Sequence, residues 1–170
     1  MKRICVGDRA PDFSAVANTG QVIRLTDYLY HQAVVLFFYP KDDSPGCTMQ
    51  ACAFRDAYED FATAGAVVIG VSDDTLESHR QFVAKRRLPF LLLSDSDGQI
   101  KTAFGVRKTF GLFPGRVTYV IDRQGIVRLI ANSQLDVLRH VREALQIVRE
   151  QTSAKEPDEF TEPSLNRKSG

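Results

Sequence analysis

Cysteine is scarce in this sequence. There are three in 170 residues, too few and too odd a number for the disulfide framework of a small secreted domain. Neither sign of charge is in excess: Lys plus Arg number 22 and Asp plus Glu 21, for a net charge of +1. That balance gives no electrostatic case for nucleic acid or an anionic membrane surface as a partner. Long apolar runs are missing as well. The longest, Ala33 to Tyr39, falls far short of the ~20 residues that a bilayer-spanning helix needs. The opening MKRICVGDRAPDF has basic residues at positions 2 and 3 but no apolar stretch behind them. No secretory signal is therefore expected, and a cytosolic, reducing compartment is the default. His31, His79 and His140 stand isolated, with no cysteine at ligand spacing. No metal site is expected, and each reads as an ordinary surface or core histidine.

What is present is the composition of one globular domain, 44% apolar and 25% charged, long enough to bury a substantial core unaided. Strand-like and helix-like segments alternate, which is the pattern of an α/β sheet. Phe13–Ala17 and Gln21–Leu25 flank Asn18-Thr19-Gly20 as a hairpin. The run AVVLFFY (residues 33–39) is continuous, as expected of a strand covered on both faces, and Pro40 ends it. Ala66–Ser72 and Leu91–Ser94 read as further strands. Val117–Asp122 and Ile126–Ala131 form a hairpin across Arg123-Gln124-Gly125.

Helices are expected between them. One runs from Cys47 to Ala64 on the spacing of Phe54, Tyr58 and Phe61, with Gly65 as its C-cap. Another starts at Asp74, which pairs with Glu77 as an N-cap signal, and runs to about Arg87 before Pro89. Leu138, Val141, Leu145 and Val148 mark an amphipathic terminal helix. From residue 152 to 170 two prolines, mixed charge and scattered apolar residues predict a disordered tail, so the domain is placed at residues 1–151.

The chemistry concentrates in FFYPKDDSPGCTMQACAFRD, residues 37–56. A buried strand ends, a polar loop follows, and Cys47 falls where a helix begins. A thiol there meets the positive end of the helix dipole and unpaired backbone N–H groups. Both favour the thiolate, which is the nucleophilic form. Cys52 follows five residues later; taken alone, it reads as either a redox partner or a core residue.

The segment resembles the active-site loop of peroxiredoxins, in which Pro, three residues, Thr or Ser, two residues and Cys follow in order. Pro40, Ser44 and Cys47 match it. YPKDDSPGCTMQACAFRD is similar, more narrowly, to the bacterioferritin-comigratory or Q-type branch. The likeness extends through GDRAPDF, GVSDD, LLSDSDGQI and GRVTYVIDRQG, over roughly residues 7–150. It implies a thioredoxin-like α/β fold, a central mixed sheet flanked by helices, with the N-terminal β-hairpin as an extension.

The resemblance also implies an activity, the thiol-dependent reduction of hydrogen peroxide and organic hydroperoxides. Cys47 is then the peroxidatic cysteine and Cys52 the resolving one. Ser44 and Arg116 supply donors to the peroxide oxygens, and Pro40 shields the thiolate. Thioredoxin or a similar dithiol recycles the disulfide, no cofactor or metal is required, and a monomer is expected. Arg55 is a lesser supporting candidate that otherwise binds an acid locally. Gln50 departs from the Glu common in the branch, which removes a carboxylate near the sulfur. Cys5 reads as a spectator. Phe110, Leu112 and Phe113 read equally as a pocket mouth or as core.

Geometry adds a demand on Cys52. Five residues apart on an ideal helix, two Cα atoms lie roughly 8.5 Å apart on divergent faces. A disulfide needs them within about 7 Å, so the helix has to unwind locally before the bond closes. Other readings are weaker. A thioredoxin-like dithiol oxidoreductase wants Cys-x-x-Cys, whereas four residues separate this pair. A non-catalytic redox-sensing or chaperone protein on the same scaffold does not call for Pro40, Ser44, Cys47 and Arg116 together.

Overall fold

The longest apolar run becomes the central strand. In the computed structural model, which describes residues 3–106 and 115–154, Ala33–Phe38 is buried at every position. The elements follow in chain order. They are β1 (Ser14–Val16), β2 (Val22–Arg24), β3 (Ala33–Phe38), α1 (Pro45–Asp56), α2 (Tyr58–Thr63), β4 (Ala66–Ser72), α3 (Leu76–Arg86), β5 (Leu91–Ser94), α4 (Gln99–Phe104), β6 (Val117–Ile121), β7 (Val127–Asn132) and α5 (Val137–Ser153). β1 and β2 pair as an antiparallel hairpin. The main sheet has the order β5-β4-β3-β6-β7 and is mixed. β3 runs parallel to β4, and β4 to β5, while β6 is antiparallel to both β3 and β7.

β3 needs no polar face because it feeds two cores. Side chains alternate across a strand. Val35 and Phe37 enter one cluster with Phe54, Phe61, Phe82 and Val148 from the helices. Val34, Leu36 and Phe38 enter the other with Phe13, Ile23, Phe104 and Tyr119. Phe37 stacks on Phe54 with ring centroids 4.6 Å apart, which seats α1 on the sheet. Gly70, beside Phe37 in the register, makes that fit possible: a Cβ there would lie 2.8 Å from the Phe37 ring and 2.7 Å from Leu92.

Several expectations are corrected. The helix expected from Cys47 to Ala64 is two helices, and the first begins at Pro45, a residue suited to the first helical position. The break falls at Ala57. Arg55 in the last turn of α1 and Glu59 and Asp60 in the first turn of α2 each suit the helix end they occupy. The N-cap of α3 is Thr75, whose hydroxyl accepts from the Ser78 N–H at 3.2 Å, because Asp74 is engaged elsewhere. α3 ends as Arg87 turns left-handed, ahead of Pro89.

On α5 the buried face is Val137, His140, Val141, Ala144 and Val148, while Leu138 is exposed. The face centres on a histidine and an alanine, which an apolar stripe overlooks. α4 was not expected at all. It starts from a left-handed Gly98, and the Asp95 carboxylate accepts from the Ile100 and Lys101 N–H groups. α5 continues just past the expected boundary to Ser153, and residues 155–170 of the expected tail lie outside the described residues.

Candidate active site

β3 delivers the chain to Tyr39 and half-buried Pro40, and the loop that follows turns at Asp43, with φ of 58°. Ser44, in extended conformation, is the N-cap of α1. Cys47 therefore sits in the first helical turn, where backbone N–H groups lack intrahelical partners, and it is only 1% exposed. Its surroundings are apolar: it belongs to the cluster of Tyr39, Ala51 and Phe54.

The partner of the sulfur comes from the far end of the chain. Because β6 runs antiparallel to β3, its first residue Val117 pairs with Phe38 at the end of β3. Arg116, immediately before Val117, is thereby carried to the start of α1. It is 5% exposed. Its Nη2 donates to Cys47 Sγ at 3.3 Å, and its Nη1 to Gln50 Oε1 at 2.5 Å. Gln50 lies one turn beyond Cys47 on the same helix face and is fully buried. Among the described residues no carboxylate forms an ion pair with Arg116, so a neutral amide and the sulfur hold the guanidinium. Arg116 Nε, Gln50 Nε2 and the Thr48 hydroxyl are buried without a partner. All three can donate, and the first belongs to the guanidinium that contacts Cys47 Sγ.

Ser44 is close in sequence, but its hydroxyl donates to the Lys41 carbonyl oxygen at 2.9 Å. The Ser44 carbonyl accepts from the Thr48 N–H at 2.8 Å, closing the first turn. Cys52 lies on α1 with Cys47, half-buried, and all three cysteines are unpaired thiols. The helix is continuous over both positions, as the unwinding argument requires. The structure thus brings Cys47, Gln50 and Arg116 into hydrogen-bonding contact, with Ser44 at the helix start, and leaves Cys52 apart on its helix.

Arg55 takes the local role. It pairs with Asp56 at 3.0 Å and donates to the Arg86 carbonyl at 2.7 Å, tying α1 to the end of α3. Cys5 is exposed on the N-terminal segment. Phe110, Leu112 and Phe113 lie outside the described residues. Two histidines expected to be isolated are not. His140 is buried with a ring nitrogen 2.8 Å from the Thr118 hydroxyl, and His79 is buried 2.7 Å from an Asp42 oxygen. Burial, and then the charge of Arg116, push His140 below the usual histidine value. His79 carries no local signal of its role, and Gln50, singled out by resemblance alone, shows its role through its bond to Arg116.

Comparisons with known proteins bear on the family and the fold. Residues 6–130 match the AhpC/TSA family. The chain is 43% identical over 148 residues to the chloroplastic peroxiredoxin Q of Sedum lineare, covering 86% of this chain and 79% of that one. The peroxidoxin BcpB of Mycobacterium tuberculosis superposes with a TM-score of 0.79 at 37% identity, covering 85% of this chain and 96% of that one. The bacterioferritin comigratory protein of Xanthomonas campestris, solved in a study of its alkyl peroxide reduction activity, superposes with a TM-score of 0.76 at 29% identity. That match covers 82% of this chain and 92% of the other.

Proposed function

The chain belongs to the AhpC/TSA family and is a thiol peroxidase, and from that premise we propose that Cys47 is its peroxidatic and Cys52 its resolving cysteine. The observation that carries the reading is the Arg116–Cys47 contact at 3.3 Å. A guanidinium beside the nucleophilic sulfur is also beside the oxygen that departs from it. In the first step the Cys47 thiolate attacks one oxygen of a hydroperoxide. An S–O bond forms, the O–O bond breaks, and the second oxygen leaves as water or an alcohol once protonated. Negative charge grows on that leaving oxygen, and donors fixed in place stabilise it where it forms. Arg116 supplies them, supported by the α1 backbone and by Ser44, whose hydroxyl oxygen meets the peroxide while the Lys41 carbonyl holds its proton. Pro40 limits solvent access.

In the second step the Cys52 thiol attacks the Cys47 sulfenic acid. An S–S bond forms and water leaves. A dithiol of thioredoxin type then returns both thiols by exchange, the disulfide being reduced and the dithiol oxidised. Alkyl hydroperoxides are substrates alongside hydrogen peroxide, in keeping with the activity studied in the Xanthomonas campestris relative. Among the described residues no helix is long and apolar enough to cross a membrane. A monomer in the cytosol, drawing electrons from a dithiol pool, completes the reading.

The decisive experiment counts free thiols against time after mixing reduced protein with stoichiometric hydrogen peroxide. Two thiols should disappear rapidly, none in Cys47→Ser. Cys52→Ser should hold a persistent sulfenic acid and fail to turn over with a thioredoxin system. Thiol loss no faster than from free cysteine would reject the assignment.

A further inference from the structure

A buried polar cluster lies beneath the Cys47 loop, and the cycle above does not use it. At its centre Asp42 Oδ2 is 2.7 Å from His79 Nδ1, with His79 wholly buried and Asp42 7% exposed. Asp42 has two further donors: Ser78 Oγ at 2.8 Å on Oδ2 and the Tyr39 hydroxyl at 2.6 Å on Oδ1. The other ring nitrogen, His79 Nε2, is 3.0 Å from the Leu93 carbonyl oxygen, which can only accept. The ring is thus held at both nitrogens, by the Asp42 carboxylate at Nδ1 and by the Leu93 carbonyl at Nε2. Burial and the nearby Asp42 charge push the Tyr39 phenol well above its ordinary range, so it stays a donor.

The cluster reaches the catalytic loop through one peptide unit. The Asp42 N–H donates to Asp74 Oδ2 at 2.8 Å. The carbonyl at the opposite end of that same unit, Lys41 O, accepts from the Ser44 hydroxyl at 2.9 Å and the Ser44 N–H at 3.4 Å. Asp74 is held in turn by the Ser72 hydroxyl at 2.6 Å, and its carbonyl by the Ser94 hydroxyl at 2.6 Å. A peptide unit is planar and rigid, so anchoring its N–H end and the Asp42 side chain orients its C=O end. Ligating atoms of Asp42, Asp74 and His79 lie within 4.8 Å of one another. Their hydrogen bonds to the protein already account for them without a cation.

We propose that His79 is a positioning residue for peroxide reduction: its Nδ1–H fixes the Asp42 carboxylate, and through the Lys41–Asp42 peptide it places the hydroxyl of Ser44. The inference rests on the reading of Ser44 as a hydrogen-bond partner of the peroxide. Ser44 acts on the peroxide oxygens and not on sulfur nucleophilicity in general, which separates positioning from mere structural damage.

The test has two arms. In the unmodified chain, nitrogen-15 NMR should find His79 Nδ1 carrying a proton hydrogen-bonded to Asp42; an unprotonated Nδ1 overturns the proposal. In the second arm, His79→Gln, Asp74→Ala and Ser44→Ala are each assayed with hydrogen peroxide and with iodoacetamide. The peroxide rate constant of His79→Gln should fall by about tenfold, as a small misplacement of a reacting group does, with Cys47 alkylation within twofold of the parent. Asp74→Ala should show the same split, and it stands in where His79→Gln does not fold. A parental peroxide rate, or an equal loss in both reactions, rejects the positioning role. If Ser44→Ala itself leaves the peroxide rate unchanged, the reading of Ser44 fails and this inference with it. If only Ser44→Ala slows the reaction, this inference fails alone.

Discussion

Arg116 donates to the sulfur of Cys47 from 69 positions away in the chain, and Gln50 is the only other side chain that its guanidinium hydrogen-bonds among the described residues. Replacing Arg116 with Met should therefore remove the main donor to the leaving oxygen. A loss of about a hundredfold in the peroxide rate constant is expected, the usual scale for deleting one fixed donor from such a site. Stopped-flow measurement of Cys47 oxidation checks it. A loss below threefold would move the transition-state donor elsewhere.

Gln50 keeps the guanidinium free of a carboxylate. Gln50→Glu places an anion on Arg116 Nη1, and the cation is then shared between that anion and the sulfur. Both the peroxide reaction and alkylation at pH 7 should slow, on the order of tenfold for the former, since ionised partners bind each other about twice as strongly as neutral ones. An unchanged or faster reaction would show that the neutral amide has no electrostatic role.

Gly46 is a second constraint on the same arginine. A Cβ at this position would lie 3.2 Å from Arg116 Nη2, the atom bonded to Cys47. Gly46→Ala should displace the guanidinium by a few tenths of an ångström and slow the peroxide reaction by about fivefold. The melting temperature should change little. A large stability loss at unchanged rate would mean that the loop gives way instead of the arginine.

Closing the Cys47–Cys52 disulfide should melt part of α1. Amide hydrogen exchange over residues 47–56, compared between dithiol and disulfide forms, is expected to show protection lost on oxidation. Identical protection in the two forms would mean that the bond closes without unwinding and would undercut Cys52 as resolver.

His140 makes stability depend on pH. Burial, its first cause, and the charge of Arg116 hold it below the ordinary value of 6.5, so the native ring is neutral. Above about pH 6.5 both folded and unfolded rings are neutral and its contribution is complete. As pH falls below that value the unfolded chain takes up the proton first, and stability is lost. Urea unfolding of the parent and of His140→Gln at pH 7.5 and 5.5 isolates the effect. The parent should lose stability relative to the variant on acidification, and a constant difference would count against the burial argument.

The strands and the reactive loop were legible because their signals are local. AVVLFFY, AVVIGVS and LLLS are runs whose composition predicts their burial, and all three form strands. Pro40, Ser44 and Cys47 sit within one short loop, so their spacing survives folding. Helix boundaries were less legible. The break at Ala57, the cap at Thr75 and the phase of α5 each depend on what the helix packs against or on a competing hydrogen bond, as when Asp74 turns to the Asp42 N–H. The reading of Cys47 as the nucleophile thus came from contiguous residues and from resemblance. The contact of Arg116 with that sulfur, the neutral brace of Gln50 and the burial of His79 against Asp42 were decided by tertiary structure alone. The antiparallel register of β3 and β6 and the seating of α3 beside the loop join residues that no local pattern links, and only there are charges and donors desolvated enough to act on one another.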